Sequence, residues 1–178
     1  MFFHKAQNDG SVPLKYKRGK TTKTEYKSKC LGYRFRIPKD FTAGNETQLE
    51  ERSTPDNISD FWGQSASGME VGVTVIPTDG SLLITDTDII DRIGRATSQN
   101  VNDNSTDGRT STYYGVTEFC GRKCAHSVMQ YEQNGAELYA EFYQNYTTYY
   151  LLQFAFIYAK DKEFGVYDLK AAFSALGK

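Results

Sequence analysis

The sequence predicts an α+β fold, a three-layer α/β/α sandwich in which helices cover a central, mainly antiparallel sheet. Residues 149–158 are apolar at nearly every position. A strand with one face in water alternates apolar and polar residues, so a run without alternation needs cover on both faces. The same segment closes a series of predicted strands that begins near residue 112, and strands joined by short turns pair antiparallel.

The length and composition fit one ordinary globular domain. A chain of 178 residues can bury roughly 70% of its unfolded surface without disulfides or metals. Apolar residues make up 39% and charged residues 24%, which is typical of folded rather than disordered chains. Residues 1–21 are polar and contain Gly10, Pro13 and Gly19, which predicts an arm or linker. Residues 22–178 are predicted to form the single sandwich domain.

The first half of the domain predicts a hairpin, a long loop region and one strand. Residues 23–28 have a weak strand pattern, and residues 33–37 alternate strictly until Pro38 ends the strand. Residues 39–68 are rich in Gly, Asn and Ser, which predicts loops. Residues 69–76 are rich in valine and predict a strand.

The second half predicts a helix, a strand meander and a final helix. Thr85 and Asp88 are spaced as an N-cap and its reciprocal acid, and apolar residues then recur at helical spacing to about residue 102. Asn134 and Gly135 suit the two central positions of a type I′ hairpin turn. Asp161 is predicted to cap the last helix. The four predicted strands are 113–119, 124–132, 138–146 and 149–158, and the last helix carries an apolar stripe of Val166, Leu169, Phe173 and Leu176.

Several local motifs accompany this order of elements. They are Leu31-Gly32-Tyr33-Arg34-Phe35-Arg36-Ile37-Pro38, Gly121 before a long strand, Asn134-Gly135 before the next, and an aromatic strand before the last helix. Together they resemble the PsbP-like family over about residues 23–177. That family includes lumenal subunits of photosystem II, a Ran-binding nuclear-transport protein of the same fold, and bacterial domains of unknown role.

The resemblance implies an α/β/α sandwich with a binding or assembly role. No catalytic residues are recognised for the family, so the resemblance transfers no site to this chain. The family's aromatic-rich consensus after the opening proline is reduced here to Lys39-Asp40-Phe41.

Charge is distributed unevenly along the chain. Residues 1–40 carry a formal charge of +8 and residues 41–178 a charge of −9. Basic residues are densest from Lys15 to Lys29, with Tyr16 and Tyr26 between them. One interpretation of this pattern is contact with an anionic membrane surface or a nucleic acid. The alternative is a solvated linker followed by an edge strand whose lysines prevent edge-to-edge pairing. The candidate contact residues are Lys15, Lys17, Arg18 and Lys20.

A tryptophan within the 39–68 loop region is the second candidate binding site. Phe61 and Trp62 are adjacent, and a tryptophan on a loop either covers the core or anchors a partner, most simply another protein. The predicted function is therefore a non-enzymatic binding or assembly module that needs no cofactor. The sequence leaves the partner and the oligomeric state open.

No pattern in the sequence predicts catalysis. The motifs G-x-S-x-G, G-x-G-x-x-G, H-E-x-x-H and the P-loop do not occur. His126 lies in a predicted strand with no local nucleophile or orienting acid, which favours a structural histidine. The alternative function is a small-ligand-binding or enzymatic domain of the cone-shaped α+β kind, with a deep pocket near His126 that also contains an acid.

The cysteines and aspartates match no metal motif. Cys30, Cys120 and Cys124 make an odd count, and the C-x3-C pair has no second pair for tetrahedral zinc. Free thiols, a disulfide and a metal site all stay open for Cys120 and Cys124. Asp86 and Asp88 are explained by helix capping rather than by a calcium loop, which would need a central glycine and a closing glutamate.

The N-terminus does not by itself predict a compartment. Residues 1–10 lack the apolar region of a signal peptide, and no stretch approaches the roughly 18 apolar residues of a membrane span. We expect a cytoplasmic protein if Met1 is the native start. We expect an extracytoplasmic or membrane-tethered one if a signal or anchor precedes this sequence in a longer protein.

Overall fold

The computed structural model describes residues 15–84 and 86–177 as a mixed α+β fold dominated by antiparallel strands. The strands are β1 Lys20–Thr21, β2 Glu25–Ser28, β3 Tyr33–Arg36, β4 Phe41–Ala43, β5 Ile58–Ser65, β6 Glu70–Pro77, β7 Thr110–Phe119, β8 Arg122–Gln133, β9 Ala136–Tyr146, β10 Tyr150–Ala159 and β11 Phe173–Ala175. The helices are α1 Glu46–Glu51, α2 Thr87–Asn104 and α3 Glu163–Ala171, with a 3-10 turn at Lys160–Lys162 before α3.

The strands form two sheets of unequal size. The small sheet has the order β1-β2-β3-β11, and the large sheet has the order β4-β5-β6-β10-β9-β8-β7. Every pairing in both sheets is antiparallel. Asn134 and Gly135 have φ angles of 54° and 77°, which confirms the hairpin turn between β8 and β9.

The core lies between the two sheets and is centred on β10. The alternate residues of β10, from Tyr150 to Tyr158, are at most 6% exposed and belong to one cluster with residues of β2, β3, β6 and β11. Val166 and Leu169 of α3 join the same cluster. The intervening β10 residues are only half-buried. The small sheet and α3 therefore seal one face of β10, whereas its other face is only partly covered.

Helix α2 packs on the opposite face of the large sheet, against β7, β8 and β9. A Cβ atom on Gly94 would lie 2.7 Å from atoms of Tyr113 and Ala125, so only glycine allows this close approach. The side chain of Asp86 accepts a hydrogen bond from the backbone of Ile89 and is the N-cap. The predicted cap, Thr85, lies outside the described residues, and the helix ends two residues later than predicted.

Three other predictions about secondary structure are wrong. The 39–68 region is not loop but contains β4, α1 and β5. The last helix ends at Ala171 rather than near Leu176, because Phe173–Ala175 pairs with β3 as strand β11. Asp161 lies in the 3-10 turn and does not cap α3, whose N-cap position is Lys162.

Candidate functional site

The buried Asp60 on β5 accepts hydrogen bonds from the hydroxyl groups of tyrosines in the N-terminal part of the chain. Asp60 is 0% exposed, and a β-bulge between Ser59 and Phe61 turns its side chain into the core. Its two carboxylate oxygens accept hydrogen bonds from the hydroxyls of Tyr16 at 2.7 Å and Tyr33 at 2.6 Å. Its backbone carbonyl accepts a third, from the hydroxyl of Tyr26 at 2.8 Å.

The Asp60 cluster, defined as Asp60 with these three tyrosines, is sealed rather than reactive. Burial, followed by the Asp60 charge, raises the pKa of Tyr16, Tyr26 and Tyr33 well above the ordinary value for tyrosine. The hydroxyls therefore stay protonated and act as permanent donors. The cluster also fixes the position of the basic segment, which we define as residues 15–29, because Tyr16 belongs to that segment.

A second buried carboxylate lies on β9 and has a lysine among its partners. Glu141 is 4% exposed, and its Oε1 lies 2.8 Å from Nε2 of His126 on β8. The hydroxyl of Tyr143 donates to the same oxygen at 2.7 Å. The ammonium group of Lys170 on α3 lies 3.1 Å from Oε1 and 3.2 Å from Oε2. We call these four residues the Glu141 cluster.

Aromatic rings extend the Glu141 cluster to the surface. The rings of His126 and Tyr143 stack at 4.6 Å, and Tyr114 stacks on the other side of His126 at 5.2 Å. A bulge between Tyr113 and Gly115 lets Tyr114 reach the histidine, and Tyr114 is 63% exposed.

The hydrogen-bond donors around Glu141 keep it ionised. Burial alone would raise its pKa, but hydrogen bonds from His126, Tyr143 and Lys170 outweigh burial and lower the pKa to about 2. Both carboxylate oxygens therefore have donors in place. The acid that a catalytic His126 would require is present, yet its contacts make it one member of a stabilising network.

Trp62 lies on β5, beside a cavity of about 290 Å³. Its indole N–H donates to the carboxylate of Glu70 at 3.0 Å, and the guanidinium of Arg52 stacks over the ring at 3.9 Å. Trp62 is partly exposed, so its ring is held in place without being enclosed. The other residues that line the cavity are Asp40, Thr42, Gln48, Gln64, Ser65 and Ala66.

The prediction that Phe61 and Trp62 share a flexible loop is wrong, since both lie in β5. Neighbouring residues of a strand point to opposite faces, and Phe61 is 1% exposed in the core, against the rings of Tyr26 and Phe35. Phe61 therefore supports the sheet from inside, whereas Trp62 faces outward.

The predicted basic contact residues lie close to the small sheet. Lys15, Lys17 and Lys20 are exposed, and Lys20 pairs with Lys27 across β1 and β2. Arg18 is half-buried beside Tyr16, and its Nε atom has no hydrogen-bond partner. The boundary at residue 21 between arm and domain stays a prediction, but the described part of the arm packs on the domain.

The cysteines are free thiols in this structure. Burial raises the pKa of Cys120 to about 11 and that of Cys124 to about 12, so both are poor nucleophiles at neutral pH. Across residues 15–84 and 86–177, no group of three or more His, Cys, Asp or Glu side chains is placed to hold a metal ion. In the same ranges no helix is long and apolar enough to cross a membrane.

Sequence reasoning missed both buried carboxylates. The partners of Asp60 lie 27 and 44 residues away along the chain, and Lys170 lies 29 residues from Glu141. One signal was present: Glu141 occupies a position in β9 with the same parity as the aromatic residues Tyr139 and Tyr143. An acid at a core position of a strand requires buried donors.

Comparisons with known proteins identify the fold and nothing finer. No family model matches the chain, and no curated protein sequence does. The solution structure of cyanobacterial PsbP (CyanoP) from Synechocystis sp. PCC 6803 superposes with a TM-score of 0.52 and 16% identity, over 85% of this chain and 91% of that one. The fold is PsbP-like. At this identity the likeness extends to the fold but not to a function.

Two further solved structures are similar. A crystal structure from Bacteroides thetaiotaomicron VPI-5482 has a TM-score of 0.53 and 9% identity, over 87% of this chain and 49% of that one. This chain therefore spans about half the length of that neighbour. LpqN, involved in cell envelope biogenesis of Mycobacterium tuberculosis, has a TM-score of 0.48 and 10% identity, over 80% of this chain and 82% of that one. The likeness to LpqN supports no conclusion about this chain.

Proposed function

We propose that this PsbP-like chain is a non-enzymatic binding module that docks another protein through the surface around Trp62. The observation that carries the proposal is a partly exposed tryptophan, fixed by Arg52 and Glu70, at the edge of a cavity. Tryptophan is enriched among the few residues that dominate the energy of protein interfaces. A ring already held in one orientation loses little conformational entropy when a partner covers it.

The cavity suits side chains of a protein rather than a whole cofactor. Its volume of about 290 Å³ lies at the lower limit of small-molecule pockets, which span roughly 300–1,000 Å³. Its lining includes the carboxylate of Asp40 and the amides of Gln48 and Gln64. These groups offer directional hydrogen bonds around the apolar indole ring, which is the composition of a selective protein contact.

The proposed scaffold is the three-layer α/β/α sandwich expected from the sequence. Helix α2 packs on one face of the large sheet, and α3 packs on the other face together with the small sheet. Trp62 lies on β5, which pairs with the short edge strand β4. In this arrangement the docking surface belongs to a rigid sheet, so partner binding does not require a loop to fold.

The sole tryptophan of the chain gives a direct test. Peptides selected from a random library against the full chain are titrated while Trp62 fluorescence is followed. We expect selected peptides to shift the emission, and Trp62→Ala, followed by calorimetry, to weaken binding at least tenfold. The matched control is Tyr167→Ala, which removes an aromatic ring that is 58% exposed elsewhere on the surface.

The control determines how the result is interpreted. Equal binding by wild type and Trp62→Ala, or an equal loss in Tyr167→Ala, contradicts docking at this surface. A circular dichroism spectrum of each variant shows that a loss of binding is not a loss of fold.

A further inference from the structure

The outer face of the small sheet carries a row of cations that runs across three strands. Lys20 on β1 lies directly opposite Lys27 on β2, and Lys27 lies directly opposite Arg34 on β3. The alternate residues of β2 and β3 are buried in the core, so this row faces outward. We propose that this face docks onto an anionic lipid bilayer.

The row is electrostatically unfavourable, and within residues 15–36 a single carboxylate offsets it. Like charges directly opposite each other in a sheet destabilise the pairing. Glu25 is the only acidic residue from 15 to 36, and its carboxylate lies 3.6 Å from the guanidinium of Arg34. The same 22 positions carry nine Lys or Arg residues and a formal charge of +8. A sheet that keeps such a row exposed is suited to a strongly anionic surface.

The positions of the tyrosines favour a bilayer over a single-stranded nucleic acid. Proteins that bind single strands stack bases on exposed aromatic rings between their cations. Here Tyr26 and Tyr33 are at most 1% exposed, and the hydroxyl of Tyr16 is bound to Asp60. The aromatic rings of this segment are therefore turned toward the core, which leaves the cations without a base-stacking platform.

The shape and charge of the molecule favour a bilayer over a duplex. The major groove of DNA admits a helix or a two-stranded ribbon, whereas Lys20, Lys27 and Arg34 lie side by side on a broader sheet. Residues 37–178 carry a formal charge of −9, which would repel a polyanion that extended past the small sheet. A planar bilayer can meet the basic face alone.

The expected effect follows from the number of cations removed. Each basic residue near an anionic bilayer contributes roughly a fivefold factor to binding, so removing three should weaken binding about 100-fold. The test variant is Lys20→Gln/Lys27→Gln/Arg34→Gln. The matched control, Arg92→Gln/Arg109→Gln/Lys160→Gln, makes the same change in net charge at exposed positions outside the small sheet.

The measurement is sedimentation of the full chain with vesicles of 30% phosphatidylserine in phosphatidylcholine, and with vesicles of phosphatidylcholine alone. We expect the wild type and the control to bind the anionic vesicles and to be released as salt rises from 50 to 300 mM. The test variant should lose binding. Circular dichroism and the urea midpoint confirm that both triple variants are folded.

Three outcomes would overturn the proposal. They are failure of the wild type to bind anionic vesicles at 50 mM salt, an equal loss in both triple variants, and tighter binding to a 20-base-pair DNA duplex than to the vesicles. The third outcome would assign the face to nucleic acid. Trp62 is unchanged in both triple variants. A negative result with vesicles therefore does not affect the test of peptide docking at Trp62.

Discussion

The two buried carboxylates differ in the partners that hold them. Asp60 receives only neutral tyrosine hydroxyls, whereas Glu141 is held by Lys170, His126 and one tyrosine. Asp60 is 0% exposed inside the core, and Glu141 lies beneath rings that reach the surface. A β-bulge lies beside each cluster: one aims Asp60 inward, and the other places Tyr114 over His126.

The difference in partners determines what each cluster contributes. The tyrosines keep their protons because burial and the Asp60 charge raise the pKa of each hydroxyl, so the Asp60 cluster joins the basic segment to the core with permanent donors. The pKa of Glu141 is lowered to about 2, so the contribution of its cluster depends on pH. The Asp60 cluster therefore joins the basic segment to the core, and the contribution of the Glu141 cluster falls in acid.

The largest expected effect is the loss of the Asp60 carboxylate. In Asp60→Ala the hydroxyls of the fully buried Tyr33 and the partly buried Tyr16 lose their acceptor. An unsatisfied buried polar group costs roughly 1–3 kcal/mol, so the free energy of unfolding should fall by about 4 kcal/mol. Urea denaturation measures this change.

The matched control for that prediction is Asp56→Ala, since Asp56 is an exposed aspartate of the same chain. Exposed substitutions usually change stability by less than about 0.5 kcal/mol. A loss below about 1 kcal/mol in Asp60→Ala would mean that the tyrosines find other acceptors, and that the cluster is not a joint.

A smaller effect with a distinct pH profile is expected for Glu141→Gln. A carboxyl whose pKa is depressed on folding stabilises the protein above its unfolded pKa, near 4.5, and loses that contribution as pH falls toward 2. The contribution is at most about 3 kcal/mol at pH 7. We expect Glu141→Gln to be about 2 kcal/mol less stable at pH 7, because Lys170 then lacks a charged partner.

The pH profile separates this account from a packing defect. The difference in unfolding free energy between wild type and Glu141→Gln should stay nearly constant from pH 7 to about pH 4.5, then shrink and nearly vanish close to pH 2. Urea denaturation at pH 7, 5 and 3 measures it. A difference that stays constant over this range would show that the glutamine fails for steric reasons rather than through lost charge.

Local patterns predicted the strands of the meander well, because each pattern is decided by neighbouring residues. The turn at Asn134-Gly135 and the strands around it needed no information from elsewhere in the chain. Strand β5 was missed because its bulge inserts Asp60, so that Ser59, Asp60 and Phe61 are buried in succession and the alternation is lost.

Long-range pairing explains the other errors. The spacing of Val166, Leu169 and Phe173 is helical, yet Phe173 pairs with Phe35 of β3 as a strand residue. No local sequence pattern indicates that the helix ends and a strand begins before Phe173, because this depends on pairing with the edge of β3. Trp62 stays a predicted binding residue, but its setting on a strand depends on β4 and β6, which pair with β5.

The smallest expected effect tests whether the Asp60 cluster holds the basic segment in place locally. Tyr16→Phe removes one hydroxyl but keeps Asp60 bound to Tyr33, so global stability should fall by only about 1 kcal/mol. Tryptic cleavage after Lys17 and Lys20 should nevertheless accelerate severalfold, because the bond from Tyr16 to Asp60 ties these exposed lysines to the core. Tyr167→Phe, at an exposed position, should leave the cleavage rate unchanged. If Tyr16→Phe also leaves it unchanged, the segment is held by its pairing with β2 and not by the buried carboxylate.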